Sequence, residues 1–187
     1  MRRLLLSLFA MLTLLLALPA RAQEGWALLE RPGAVGVMRH ALAPGTGDPA
    51  RFELGECATQ RNLDARGRAQ ARAIGEALRA RGIGFDAVLS SRWCRCLDTA
   101  GEMAVGEVRP YPPLDSFFRN RAEGPAQTAA LRAFLAARPE DERLMLVTHQ
   151  VNITALTGVF PASGEIVVID VSPQGAVEVL GTILVDP

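Results

Sequence analysis

The apolar positions of this chain change period again and again, short unbroken runs alternating with stripes at helical spacing. Strands and helices taken in turn produce that pattern, and it predicts an α/β fold. Residues 34–38 form a first apolar run and 144–147 the strongest, with shorter ones at 87–89 and near 107–109. Between them Ala69, Ala73, Ile74, Ala77 and Leu78 recur one turn apart, predicting a helix over 65–81 with Asp64 as its cap and Gly82 as its stop. Further helices are expected over 92–104, capped by Ser90 or Ser91, over 125–138, and over 151–156. The chain ends differently: two β-rich runs, 165–171 and 176–184, flank Ser172-Pro173-Gln174-Gly175, which is hairpin chemistry rather than a crossover. The expected architecture is a three-layer α/β/α domain whose central sheet is mostly parallel, with an antiparallel C-terminal hairpin and functional loops at the carboxyl ends of the strands. Residues 41–62, rich in proline and glycine, carry no element of their own, and loops of that length are more often functional than idle.

The first 22 residues read as an export signal: Arg2 and Arg3, an apolar run from Leu4 to Leu18, then Ala20-Arg21-Ala22 before Gln23. The run is interrupted by Ser7 and Thr13 and ends at Pro19, short of the roughly 20 residues a membrane span needs. Cleavage would leave residues 23–187 as one domain in the periplasm or outside the cell, with no stable membrane span. That segment holds 17 basic and 20 acidic residues, a net charge of −3, and nothing in this balance points to nucleic acid. The basic residues are arginines, which suits bidentate recognition of phosphate but also follows from coding bias, so their number alone decides nothing.

The three cysteines are Cys57, Cys94 and Cys96. In an oxidising compartment an odd count implies one disulfide and a free thiol, or no disulfide, and spacing does not fix the pairing. Cys94 and Cys96 lie too close on one predicted helix to bridge each other comfortably, and Cys57–Cys94 is the preferred bridge. A metal site is poorly served by three thiols and two histidines without CxxC spacing, so no cofactor is expected.

The only two histidines follow apolar strands directly, His40 after Arg39 at the first and His149 after Thr148 at the strongest, which places both at one edge of the predicted sheet. A third strand end brings Ser90-Ser91-Arg92-Trp93-Cys94-Arg95 to the start of a helix, where unpaired N–H groups and arginine forks attract anions.

These residues carry a resemblance. Arg39-His40-Ala41, Leu63-Asp64-Ala65-Arg66-Gly67-Arg68-Ala69-Gln70-Ala71, the segment from Ser90-Ser91 through Arg95 to Thr99-Ala100, and Thr148-His149 are similar, in order, to the four motifs of the histidine phosphatase superfamily, the phosphoglycerate mutase-like branch. The resemblance implies that His40 is the nucleophile, that Arg39 and Arg95 bind phosphate, and that His149 is a second histidine on it. It also implies an acid for the leaving group: Asp115 is the nearest match, with Glu53, Glu56 and Glu165 as rivals. Ala41 and Gln150 stand where the pattern has glycine.

With the export segment, Cys57-Ala58-Thr59-Gln60-Arg61-Asn62-Leu63 and Thr148-His149-Gln150-Val151-Asn152, the chain resembles small periplasmic members, among them the lipopolysaccharide core heptose-phosphate phosphatases. The implied function is a metal-independent phosphomonoesterase working through a phosphohistidine, on a phosphomonoester such as a sugar phosphate of the cell envelope. A non-catalytic binder of phosphorylated ligands and a phosphohistidine or phosphoprotein phosphatase are the alternatives. Oligomeric state is not legible.

Overall fold

A computed structural model describes residues 20–185, so the segment read as an export signal, 1–22, lies almost wholly outside the described residues. Among the described residues six strands make one sheet: β1 (Val35–Arg39), β2 (Ala87–Ser90), β3 (Val108–Pro110), β4 (Leu144–Thr148), β5 (Ile166–Val171) and β6 (Val177–Ile183), in the order β3-β2-β4-β1-β5-β6. β1, β2, β3 and β4 run parallel; β5 is antiparallel to β1 and to β6. The mixed sheet with its terminal hairpin is the expected one.

The central strands are buried along both faces, and their side chains divide by the period of two. Val35 and Val37 of β1 and Leu144 and Leu146 of β4 join one core, with Leu131 and Leu135 of helix α4 (Gly124–Ala137) and Ile153 of α5 (Gln150–Thr157). Met38, Met145 and Val147 join the other, with Ile74 and Leu78 of α2 (Ala65–Ala80) and Cys96, Ala100 and Met103 of α3 (Cys94–Met103). Helices therefore cover both faces, as the uninterrupted strands required.

Helix α2 starts where the pattern placed it. The Asp64 carboxylate accepts the Gly67 N–H at 2.8 Å and caps the first turn. Gly67 has a second constraint: a Cβ there would lie 1.9 Å from the Leu42 carbonyl oxygen, so the chain leaving His40 crosses the helix at backbone contact. Gln70, one turn on, accepts from Leu42 N–H at 3.0 Å and donates to the Ser163 carbonyl at 2.9 Å, tying that crossing to the loop before β5. The Gly-x-x-Gln spacing thus holds the segment behind His40.

Two expectations need correction. The helix expected from 92 begins at Cys94, and its capping position is Trp93, with no side-chain cap. Ser90 and Ser91 instead extend the sheet: Ser91 N–H donates to Val147 and the Ser90 carbonyl accepts from Tyr111 N–H, so strand pairing wins over capping. The third strand slides one residue to end on Pro110, which an edge strand tolerates. A helix absent from the pattern, α1 (Ala20–Leu29), packs beside β6, and its buried Leu29 reaches Gly36 in β1. Among the described residues no helix is long and apolar enough to cross a membrane.

Candidate active site

The register of β1 with β4 sets the site. Arg39 pairs with Thr148, and His40 N–H donates to the Thr148 carbonyl at 2.9 Å, so the residues that follow, His40 and His149, stand side by side at the carboxyl edge. Their ring centroids are 5.5 Å apart. Both histidines are buried and both line a cavity of about 440 Å³, together with Arg39, Arg61, Arg95 and Asp48.

His40 is held in one tautomer. Its Nδ1–H donates to the Ala41 carbonyl at 2.7 Å, which leaves Nε2 with a free lone pair. The Ala41 N–H is fixed in turn by Thr99 Oγ1 at 3.0 Å, which gives the motif threonine its structural reason. Burial, then the charges of Arg95, Arg61 and Arg39, push the His40 pKa down to about 3 against the raising effect of the Ala41 carbonyl. The imidazole is accordingly neutral at any ordinary pH.

His149 is held from both sides. Arg95 Nη2 donates to its Nδ1 at 3.3 Å, so the ring proton belongs on Nε2, which donates to Ser91 Oγ at 2.8 Å. Ser91 passes its own hydroxyl proton toward Asp115 Oδ1 at 3.3 Å. Burial first, then Arg95, holds the His149 pKa well below the usual value.

Asp115 is reached by this chain but is not among the cavity-lining residues. Its Oδ1 accepts from Arg92 N–H at 2.8 Å and its Oδ2 from the Arg92 guanidinium at 2.6 and 2.7 Å. The Asp115 carboxylate thus sits where it can orient Ser91 and, through it, His149. Its rivals are not brought to the cavity either: Glu53 and Glu56 are exposed, and Glu165 accepts from Ala162 N–H at 2.7 Å.

Arg39 and Arg95 meet as expected, joined by Arg61, which carried no assigned role in the sequence. Arg39 Nη1 donates to the Pro161 carbonyl at 2.9 Å. Arg61 sits in the long loop, its Nε donating to Gly47 at 2.7 Å and its Nη1 to Ala43. Burial and the nearby Arg95 lower the pKa of both Arg39 and Arg61, the signature of guanidiniums gathered without enough negative charge. Among the described residues, the carboxylate that lines the cavity with these arginines is Asp48. Its Oδ1 lies 2.5 Å from Arg95 Nη1 and its Oδ2 accepts from Nη2 at 3.2 Å and from Trp93 Nε1 at 3.0 Å.

The loop carrying Asp48 and Arg61 has no periodicity to read, and it is placed by three tertiary ties. Cys57 and Cys94 form the disulfide that sequence preferred, with Cα atoms 5.7 Å apart and Cys96 left as a buried free thiol. Gln60 Oε1 accepts from Cys94 N–H at 3.0 Å, and Phe52 stacks on Trp93 at 4.9 Å. At the mouth stand Arg121 and the exposed rings of Phe118 and Phe160.

A neutral histidine with one free nitrogen shares a cavity with three guanidiniums at the carboxyl ends of central strands, an arrangement suited to an anion in an α/β protein. The profile of the histidine phosphatase superfamily (branch 1) matches residues 38–134, just over half of the chain. The chain belongs to this superfamily. Its chemistry is that of a phosphatase, a hydrolase that removes phosphoryl groups. His149 lies beyond the matched span, and strand register, rather than the profile, joins it to His40.

Solved structures share the fold at low identity. The protein histidine phosphatase SixA complexed with tungstate is similar with a TM-score of 0.59 and 16% identity, over 80% of this chain and 96% of that one. The alpha-ribazole phosphatase from Shigella flexneri gives 0.55 and 18%, over 82% and 100%. A phosphoserine phosphatase variant from Entamoeba histolytica, in complex with phosphoserine, gives 0.56 and 16%, over 80% and 95%. Among curated proteins no sequence matches significantly.

Proposed function

We propose that this protein is an exported phosphomonoesterase that transfers the phosphoryl group of its substrate to His40 and then to water. The observation that carries this reading is the fixed tautomer of a buried, neutral His40 that has one free nitrogen and lines the cavity together with the arginines. The Nε2 lone pair attacks phosphorus, the P–O bond breaks with its electron pair going to the leaving oxygen, and water later displaces the imidazole. Negative charge on the equatorial oxygens is met by Arg39, Arg61 and Arg95, already assembled and partly desolvated, so the protein supplies that stabilisation without a metal. His149, braced by Ser91 and Asp115, orients Arg95 and closes the phosphate position beside His40.

Export is supported by the character of residues 1–22 and by the Cys57–Cys94 bridge, which suits an oxidising compartment. The substrate is a phosphomonoester, and the resemblance to envelope phosphatases makes a sugar phosphate the first class to assay. The expected result for residues 23–187 is release of inorganic phosphate in the presence of a chelator, lowered by about 10³-fold or more in His40→Ala. Tight ester binding with no release would instead mark a binder, and release unchanged in His40→Ala would overturn the reading.

One observation favours a second reading, a phosphohistidine or phosphoprotein phosphatase. Among the described residues the one carboxylate lining the cavity is paired with Arg95, and a phosphoramidate leaves with less need of an acid than an alcohol does. Phosphopeptides and sugar phosphates compared at equal concentration separate the two.

A further inference from the structure

Attack by His40 expels an alkoxide unless a proton reaches the leaving oxygen, and the residues marked by sequence for that task do not enter the cavity. Asp115 is committed to Arg92 and Ser91, Glu53 and Glu56 are exposed, and Glu165 accepts from a local N–H. Among the described residues that line the cavity, Asp48 is the one with a carboxyl group. Gly45 and Gly47, both at positive φ, form the bend that turns it inward.

Its partners matter as much as its position. Arg95 and Asp48 are both nearly inaccessible, with side-chain exposures of 3% and 6%. Of the Arg95 donors, Nη1 serves Asp48 and the Arg61 carbonyl, Nη2 serves Asp48 and His149, and Nε is buried without a partner. A phosphoryl group gripping the Nη1–Nη2 edge of this guanidinium with two hydrogen bonds would take the place where the Asp48 carboxylate now lies. Asp48 thus covers, as an anion, the edge of Arg95 that matches the paired oxygens of a phosphoryl group.

We infer that Asp48 is the proton donor of this site, parked on Arg95 until the phosphoryl group displaces it. The inference rests on the phosphohistidine reading above. On displacement Asp48 loses its cation and gains a phosphate dianion as neighbour, and both changes favour uptake of a proton from solvent. The groups that face it are Arg95 and Trp93 at the start of α3, and Arg61 in its own loop. Arg39, His40 and His149 share the cavity. In the resting state burial raises its pKa, but the hydrogen bond and charge of Arg95, with Trp93 and the Arg61 N–H, bring it below the usual value, so Asp48 starts ionised.

The steps balance. The His40 Nε2–P bond forms as the P–O bond breaks, and the leaving oxygen takes the Asp48 proton to depart as an alcohol. In the second half Asp48, now a carboxylate, accepts a proton from water as the water oxygen bonds to phosphorus and the N–P bond breaks. Ester and water become alcohol and phosphate, His40 is neutral again, and Asp48 returns the borrowed proton to solvent as phosphate leaves and the carboxylate settles back on Arg95.

The test compares Asp48→Asn with the parent on 2-glycerophosphate, whose leaving alcohol needs a proton, and on p-nitrophenyl phosphate, whose phenolate leaves without one. The expected loss in kcat/KM is about 10²–10⁴-fold on the alkyl ester and at least tenfold smaller on the aryl ester. The acid-labile phosphate on His40 still forms from the aryl ester. Inhibition by inorganic phosphate should tighten, because Arg95 no longer carries a competing anion. Equal losses on both esters, or weaker phosphate inhibition, would overturn the assignment while leaving His40 in its role. Absence of labelled His40 in the parent protein would overturn both. The parent supplies a measurement independent of how well the variant folds: kcat on the alkyl ester should fall at high pH as Asp48 ionises, while kcat on the aryl ester should not. Identical pH profiles would refute the assignment.

Discussion

Breaking the Cys57–Cys94 bridge perturbs stability and site together. The two cysteines are 37 residues apart, and closing a loop of that size removes about 4 kcal/mol of conformational freedom from the unfolded chain. With a urea m-value of roughly 2 kcal/mol/M, the midpoint of unfolding should drop by about 2 M on reduction or in a Cys57→Ala/Cys94→Ala double variant. Cys57 is exposed, so reductant reaches the bridge in the folded protein. Cys96 is buried with its pKa pushed up to about 12, mainly by burial, so it stays unreactive and does not confuse the comparison. The bridge also anchors the loop bearing Asp48 and Arg61 to the first residue of the helix bearing Arg95, so kcat/KM should fall in the folded, reduced protein. The assay is urea denaturation followed by circular dichroism, with and without reductant, alongside turnover. A midpoint shift below about 0.5 M would refute the loop-closure account, and unchanged turnover would show that the site does not depend on the tether.

Acid should destabilise the protein early. The folded pKa of His40 lies below its unfolded value of about 6.5, so its share of stability is complete above that pH and is lost as pH falls toward about 3. Each unit crossed in that window costs about 1.4 kcal/mol, His149 adds to the slope, and chemical denaturation at pH 7, 6 and 5 should show a shallower slope in His40→Asn. Gly67→Ala forces a methyl group onto the Leu42 carbonyl and should cost about 1–3 kcal/mol by the same denaturation measurement, while Gly84→Ala, which meets open space, should cost far less. Arg95→Lys keeps the charge but loses the fork that spans Asp48, His149 and phosphate, so inhibition by inorganic phosphate should weaken by about tenfold or more in steady-state assays.

The sheet was legible because its signals are local. The buried run of β4 and the stripe of α2 follow from burial and period alone, and the Asp64 cap forms as written. His40 and His149 could be placed because each directly ends a strand. Helix α1 could not, since its contacts are with β6 and with Gly36 of β1, which the sequence alone does not bring beside it. Ser91 misled for a related reason: serine before a helix normally caps it, but strand pairing to Val147 and the reach to His149 claimed this one. Asp115 lies near the expected strand end, yet the side-chain direction is set by Arg92, which spacing does not reveal. Asp48 and Arg61 sit in an aperiodic loop positioned by a disulfide, a stacked ring pair and a glutamine, so their meeting with Arg95 is visible only in three dimensions.

The central claim is that phosphate passes through His40. Residues 23–187 mixed with a radiolabelled phosphomonoester and quenched within the first turnover should carry a phosphoryl group that is stable in base and labile in acid. It should map to the peptide containing His40 and vanish in His40→Ala. Turnover without any such label, or label that persists in His40→Ala, would contradict the account.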